Sequence, residues 1–321
     1  IAQDVVPPKA SDPPPAPEET PKPSGPQKAT AQKRAFPLEK ILELTRAGVT
    51  PEWLDEMAAA GYPSLSIEQV VELRQQGVSP EYVKAMRDAG YPKLTPSELL
   101  ALRGQGVGPE YVAGMAALGL GTLTVSDLIE LREQGVSPEF VKQMKDGGYG
   151  SSVPQLIELR SQGVTPHFAS EMKALGYERL SAIRLIALRS QGITPEFVRE
   201  LRALGLTDLS VSMLIALRNQ GVTPEFVREM KAVGYGALAV GDLIALRQQG
   251  VTAEYVREMK EGGYDALAVS ELIALRAQGV SGEFVREMKA AGLGHLSVDE
   301  LIELRSNGVR GKLLERLRGR Q

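Results

Sequence analysis

One feature limits what this chain can fold into more than any other: it repeats itself with a period of 29 residues. A glycine followed by Val or Ile recurs at Gly48, Gly77, Gly106, Gly135, Gly163, Gly192, Gly221, Gly250, Gly279 and Gly308, at a spacing of 29 except between Gly135 and Gly163, where it is 28. Ten registers at fixed spacing identify a solenoid, in which each unit buries its apolar face on its neighbours. The 321 residues therefore need not divide into the two or three separate cores that length alone suggests.

Residues 209–235, LSVSMLIALRNQGVTPEFVREMKAVGY, show how one unit is written. Ser210 is placed to cap a first helix whose buried face is Leu214, Ile215 and Leu217. Elsewhere this start is a full capping box, Ser66 with Gln69 or Ser297 with Glu300. Gly221 ends the helix, because the left-handed position after a helix suits glycine. Thr223-Pro224-Glu225 then opens a second helix with a cap, a residue that needs no N–H, and an acid at the positive end of the dipole. Its buried stripe is Phe226, Val227 and Met230, with Val233 beyond, and Gly234 stops it. The spacing thus predicts an all-α fold: an αα solenoid, or superhelix, of about ten 29-residue helix-turn-helix units, the last one partial. Helices this short are marginal alone, so neighbouring units must complete each other. The missing residue falls between Tyr149 and Ser152, in a turn, where it shifts no helical face.

The array is expected over residues 38–321, with atypical capping units at both ends. The first unit carries Thr45 where the others have Arg, and Trp53 in an aromatic column that continues as Tyr82, Tyr111, Phe140, Phe168, Phe197, Phe226, Tyr255 and Phe284. The last replaces Thr-Pro-Glu by Arg310-Gly311-Lys312 and closes on Leu313, Leu314 and Leu317 among basic residues, which reads as a solvated C-terminal cap. The aromatic column, and a methionine column from Met57 to Met288, are expected in the core, the methionines as adaptable filler. Residues 1–37 are rich in proline, with five basic and four acidic side chains, and read as a disordered Pro-rich linker of extended segments. The chain begins at Ile1, which is read as the mark of an upstream segment removed, either a cleaved signal peptide or part of a longer membrane protein that would tether the chain.

Composition excludes several chemistries. The chain has no cysteine, and its two histidines, His167 and His295, stand alone in their units. No phosphate loop, HExxH pair or distinctive carboxylate pair occurs, so no enzyme activity, cofactor or metal is expected. There is no apolar run long enough to span a bilayer. Net charge is −3 overall, and −4 over residues 38–321, which argues against a nucleic-acid partner.

The residues that could carry function form a ladder at the end of the first helix of each unit. Arg recurs three residues before the marker glycine and Gln one residue before it: Arg74 and Gln76, Arg103 and Gln105, Arg132 and Gln134, Arg160 and Gln162, Arg189 and Gln191, Arg218 and Gln220, Arg247 and Gln249, Arg276 and Gln278. Two readings stand. Either Arg complements the helix C-terminus and pairs with the Glu of Thr-Pro-Glu, or the ladder lines one edge as donors for a partner. Glu196 with Arg199, and Glu225 with Arg228, are expected as solvated pairs on the second helix.

The segment LIALRNQGVTPEFVREMKAVGY, residues 214–235, resembles tandem repeats in the C-terminal region of bacterial membrane metallopeptidases of the beta-lactam-sensor type and of anti-sigma-factor-like proteins, and the likeness runs over residues 38–318. It implies a bacterial, exported or membrane-tethered setting, and no activity, since the peptidase part and its motif are not in this chain. LSIEQVVELRQQG, residues 65–77, also resembles the opening of a transcription-activator-like effector repeat, in which two loop residues choose a base. Here that pair is nearly constant as Gln-Gly, and Val-Thr-Pro-Glu follows where that family places residues near phosphate. The function expected is a non-enzymatic protein-interaction or spacer scaffold with a protein partner of unknown identity. The alternatives are a nucleic-acid-binding array using the Arg/Gln ladder, or a self-associating structural filament.

Overall fold

The computed structural model describes residues 37–318. The linker reading of the residues before Pro37, and the side chain of Leu317, lie outside what it describes. Twenty helices follow one another without a strand among the described residues, from α1 (Leu38–Arg46) and α2 (Pro51–Ala59) to α19 (Val298–Ser306) and α20 (Gly311–Arg318). They pair into ten units, each an odd-numbered helix followed by an even-numbered one. First helices pack on first helices of adjacent units and second on second, giving an α-solenoid with two parallel stacks.

Local chemistry marks most of the boundaries. In α3 (Ile67–Gln75), Ser66 accepts from the Gln69 amide and Gln69 reaches back to Ser66, closing the capping box. At the other end Gly77 adopts φ +70°, and the Val78 amide donates to the Leu73 carbonyl at 2.9 Å. That six-to-one bond turns the chain directly into the next helix. α4 (Pro80–Asp88) opens with Ser79 accepting from the Tyr82 amide, and with Pro80 in the first turn. Alanine stands at the first-helix cap of two units, Ala239 and Ala268, where no side chain accepts the amide.

A single apolar core runs the length of the array. The methionine column is sealed, with Met57, Met86, Met115, Met144, Met172, Met230 and Met259 at 0% exposure. The aromatic column lies beside it, from Trp53 to Phe284, all buried. Apart from tyrosine and tryptophan, no polar or charged residue is buried among those described. The one-residue deletion leaves the helical faces in place, for Leu156 and Leu159 are fully buried like their counterparts. The turn absorbs it: Gly150 adopts φ +78°, where a Cβ would lie 2.5 Å from Leu156 Cδ2, and the Gln155 side chain accepts from the Gly150 and Ser151 amides. No helix of the described residues is long and apolar enough to cross a membrane.

Candidate functional site: a latched edge and one open junction

The Arg row lies between units. Each guanidinium from Arg103 onward sits over the aromatic ring of the preceding unit: Arg103 over Tyr82, Arg132 over Tyr111, Arg160 over Phe140, Arg189 over Phe168, Arg218 over Phe197, Arg247 over Phe226, Arg276 over Tyr255 and Arg305 over Phe284, at 5.0–5.5 Å from the centroids. Cation and ring quadrupole attract at this distance. The same side chains reach the helix end below: Arg74, Arg189 and Arg276 donate Nε to the carbonyls of Gly48, Gly163 and Gly250 at 3.0–3.1 Å. Positive charge at a carbonyl-rich helix C-terminus is the favourable end of the dipole.

Half of one sequence reading therefore takes a different form. The Arg does complement a helix C-terminus, but that of the neighbouring unit, and its partner is an aromatic ring. No ion pair joins a ladder Arg to the Glu of Thr-Pro-Glu among the described residues. Glu68 pairs with Lys40 across the first two first-helices at 2.8 Å, and the second helices add Glu171 with Arg199, Glu200 with Arg228 at 3.5 Å, and Glu258 with Arg286 at 4.0 Å. Arg199 also holds Glu196, as expected, at 2.8 Å, whereas Arg228 reaches Glu200 and forms no pair with Glu225 among the described residues.

Gln76, Gln105, Gln134, Gln162, Gln191, Gln220, Gln249 and Gln278 all occupy C-cap positions and are exposed. Gln220 accepts from Gln248 at 2.9 Å, the one side-chain contact the row makes among the described residues. The Arg residues beside them are half-buried at Arg74 and exposed elsewhere. The structure thus brings the ladder together as one edge, with its Arg members engaged and its Gln members open.

A second set of inter-unit bonds comes from the tyrosine that follows the second helix in most units, Leu120, Leu206 and Leu293 standing there in three others. Tyr62, Tyr91, Tyr177, Tyr235 and Tyr264 donate their hydroxyls to the carbonyls of Leu94, Leu123, Leu209, Leu267 and Leu296, 32 residues ahead, at 2.6–2.7 Å. Arg87 and the lysines Lys145 and Lys260 add bonds to the carbonyls of Ala60, Leu118 and Val233. Tyr82, Tyr111 and Tyr255, in the aromatic column, donate to Val107, Val136 and Val280 at 2.8–3.1 Å. Burial pushes these three phenols up to about 12, outweighing the opposite pull of Arg103, Arg132 and Arg276.

The junction between the fourth and fifth units lacks all of these except the Arg160–Phe140 stack. It lies between α8 (Pro138–Asp146) and α10 (Pro166–Ala174), at the deletion. Tyr149 forms no bond to the carbonyl of Leu180, its equivalent one unit ahead, and Lys173 makes none of the carbonyl contacts of Lys145 or Lys260. Where Glu171 and Arg199 tie the next junction across its groove, the same register here holds Gln143 and Ser170. Gln143 turns back to Glu139 at 2.6 Å. Ala169 also replaces the valine found at Val198 and Val227. A cleft of about 530 Å³ lies here, with Met144, Pro166 and Ala169 among its walls and Asp146, Tyr149, His167, Ser170 and Lys173 around it, and one of about 480 Å³ occupies the same register between the first and second units. His167, alone in sequence, pairs with Glu171 at 3.1 Å. Burial raises the Tyr149 phenol, so it is a donor at neutral pH. The signal in the sequence was the cluster of departures from the unit within residues 143–173. A search of protein-family models found no match for the chain, and a search of curated proteins found none either.

Proposed function

We propose that the chain is a non-enzymatic docking and spacer solenoid, with a protein partner meeting its Arg/Gln edge. One observation carries this: the Gln row is exposed, once per unit, on an edge whose neighbouring Arg row is held by ring stacking. Amides presented at regular spacing on a backbone held in register suit a long partner that is read by repeated hydrogen bonds. The likeness of the units to repeats of bacterial membrane metallopeptidases supports a setting at the bacterial envelope, with the Pro-rich residues as a tether.

The test is a crosslinked pull-down with the full chain, with and without nuclease, beside a variant carrying Gln134→Ala, Gln162→Ala, Gln191→Ala and Gln220→Ala. The expected result is a nuclease-insensitive protein retained by the parent chain and lost by the variant, at unchanged melting temperature. Recovery abolished by nuclease would instead make the edge a nucleic-acid face. A partner held equally by the variant would move docking off this edge.

A further inference from the structure

We infer that the cleft between the fourth and fifth units is a binding site for a carboxylate side chain of an acidic peptide segment; this deepens the docking reading and rests on it.

In a repeat array the bland expectation is that every junction looks the same. Here five departures fall on one junction: the deletion, Gln143 and Ser170 in place of the Glu–Arg pair, Ala169 for valine, and His167 for the usual Glu. Four of them remove bulk or an inter-unit bond, and the cleft of about 530 Å³ they border holds fewer acids than the one of about 480 Å³ in the same register between the first and second units, which is ringed by Glu56, Glu81 and Asp88.

The groups left around it have a common chemistry. At the next junction the corresponding groups are all engaged: Tyr177 donates to the Leu209 carbonyl, Arg202 lies over the Tyr177 ring and Arg199 pairs with Glu171. Among the described residues, Tyr149, Ser170 and Lys173 have no side-chain hydrogen-bond partner, and all three donate. Asp146 is the one acid in the cleft, and Glu171 beyond it is already paired with Arg199. A carboxylate accepts two or more such bonds at once, and Lys173 supplies the opposite charge. The apolar wall of Met144, Pro166 and Ala169 suits the methylene stem of the same side chain.

The experiment is a titration of the full chain, followed by amide chemical shifts, with a capped glutamate tripeptide, its capped lysine counterpart and inorganic phosphate. Shifts confined to residues 143–149 and 166–173 are expected for the glutamate peptide, in the millimolar range of a single group. Gln143→Glu with Ser170→Arg installs the strap of the next junction, so it should weaken binding at least tenfold while unfolding no earlier than the parent. Lys173→Gln should weaken it comparably, with added salt reducing the remainder. No response to the glutamate peptide, an equal response to the lysine peptide, a stronger one to phosphate, or unchanged binding by the strapped variant would each overturn the assignment. A protein partner captured by both parent and strapped chains would remove this site and leave docking standing. Peptide binding with no protein captured would do the reverse.

Discussion

Arg189 lies over the ring of Phe168 in the preceding unit, 5.5 Å from its centroid, while its Nε donates to the Gly163 carbonyl at 3.0 Å. One side chain thereby joins an aromatic ring and a helix end of the preceding unit. Replacing Arg189 by Ala should cost about 1–2 kcal/mol, the sum of an exposed cation–π contact and one net hydrogen bond. Lys should recover only part, because an ammonium cannot lie flat on the ring and donate sideways at once. A double-mutant cycle with Phe168→Leu, read by urea unfolding, should give a coupling of about 0.5–1 kcal/mol. Additive effects would mean that the stacking is incidental.

The tyrosines of the aromatic column set an alkaline limit. In the folded array Tyr82, Tyr111 and Tyr255 hold their protons up to about 12, against an ordinary 10. Between those values the unfolded chain gives up protons that the folded chain keeps, so stability falls as pH rises. Their contribution is complete below pH 10 and is lost on passing 12. Thermal melts from pH 8 to 12 should show a decline that begins near 10 and is shallower in a Tyr82→Phe/Tyr111→Phe/Tyr255→Phe chain. Identical slopes would place the alkaline limit elsewhere.

Beside the apolar core, the described residues tie the junction at Tyr149 by one inter-unit stack, Arg160 on Phe140, whereas the next has the Arg189 contacts, the Tyr177 bond and the Glu171–Arg199 pair. Local opening follows the weakest set of contacts. Limited proteolysis should therefore nick the chain first within residues 147–152, yielding two folded pieces. Gln143→Glu with Ser170→Arg should slow that cleavage severalfold. Nicks spread evenly over the inter-unit turns would show that these bonds do not govern opening.

The two ends lack complementary halves of the same contact. Thr45, in the Arg register, turns its hydroxyl back to the Ile41 carbonyl at 2.9 Å. Leu313, in the ring register, is 52% exposed. A second copy stacked head to tail would bring these two residues together without a clamp. Thr45→Arg combined with Leu313→Phe should raise self-association about fivefold or more over the parent in sedimentation velocity, since about 1 kcal/mol is restored. Either change alone should do little. If a single change matched the pair, the contact would not need both halves.

Much of this was legible in the residues and some was not, for a definite reason. Caps, Pro in the first turn and left-handed Gly act within four or five residues, so Ser66, Pro80 and Gly77 marked helix ends by themselves. The columns of Met and aromatic residues followed from helical period. The placement of Arg189 on Phe168 did not, because periodicity gives a residue's place in its own unit and leaves open which neighbour a long side chain crosses to. Tyr177 was passed over for the same reason: its acceptor lies 32 residues ahead. The deletion near Tyr149 was read as harmless to the helices, which is so at Leu156 and Leu159. Its effect on bonds between units needed three dimensions.

Because the Arg-over-ring stack and the apolar columns recur from unit to unit, a 29-residue segment copied in frame into most of the array would find its partners ready on both sides. Length is therefore a trait that a gene can alter by whole-unit duplication or loss, without rewriting the remaining sequence. A copy made across residues 143–173 would instead duplicate the poorly fastened boundary. Ancestry of this kind should leave the central, better-fastened units most alike and the boundary at Tyr149 single.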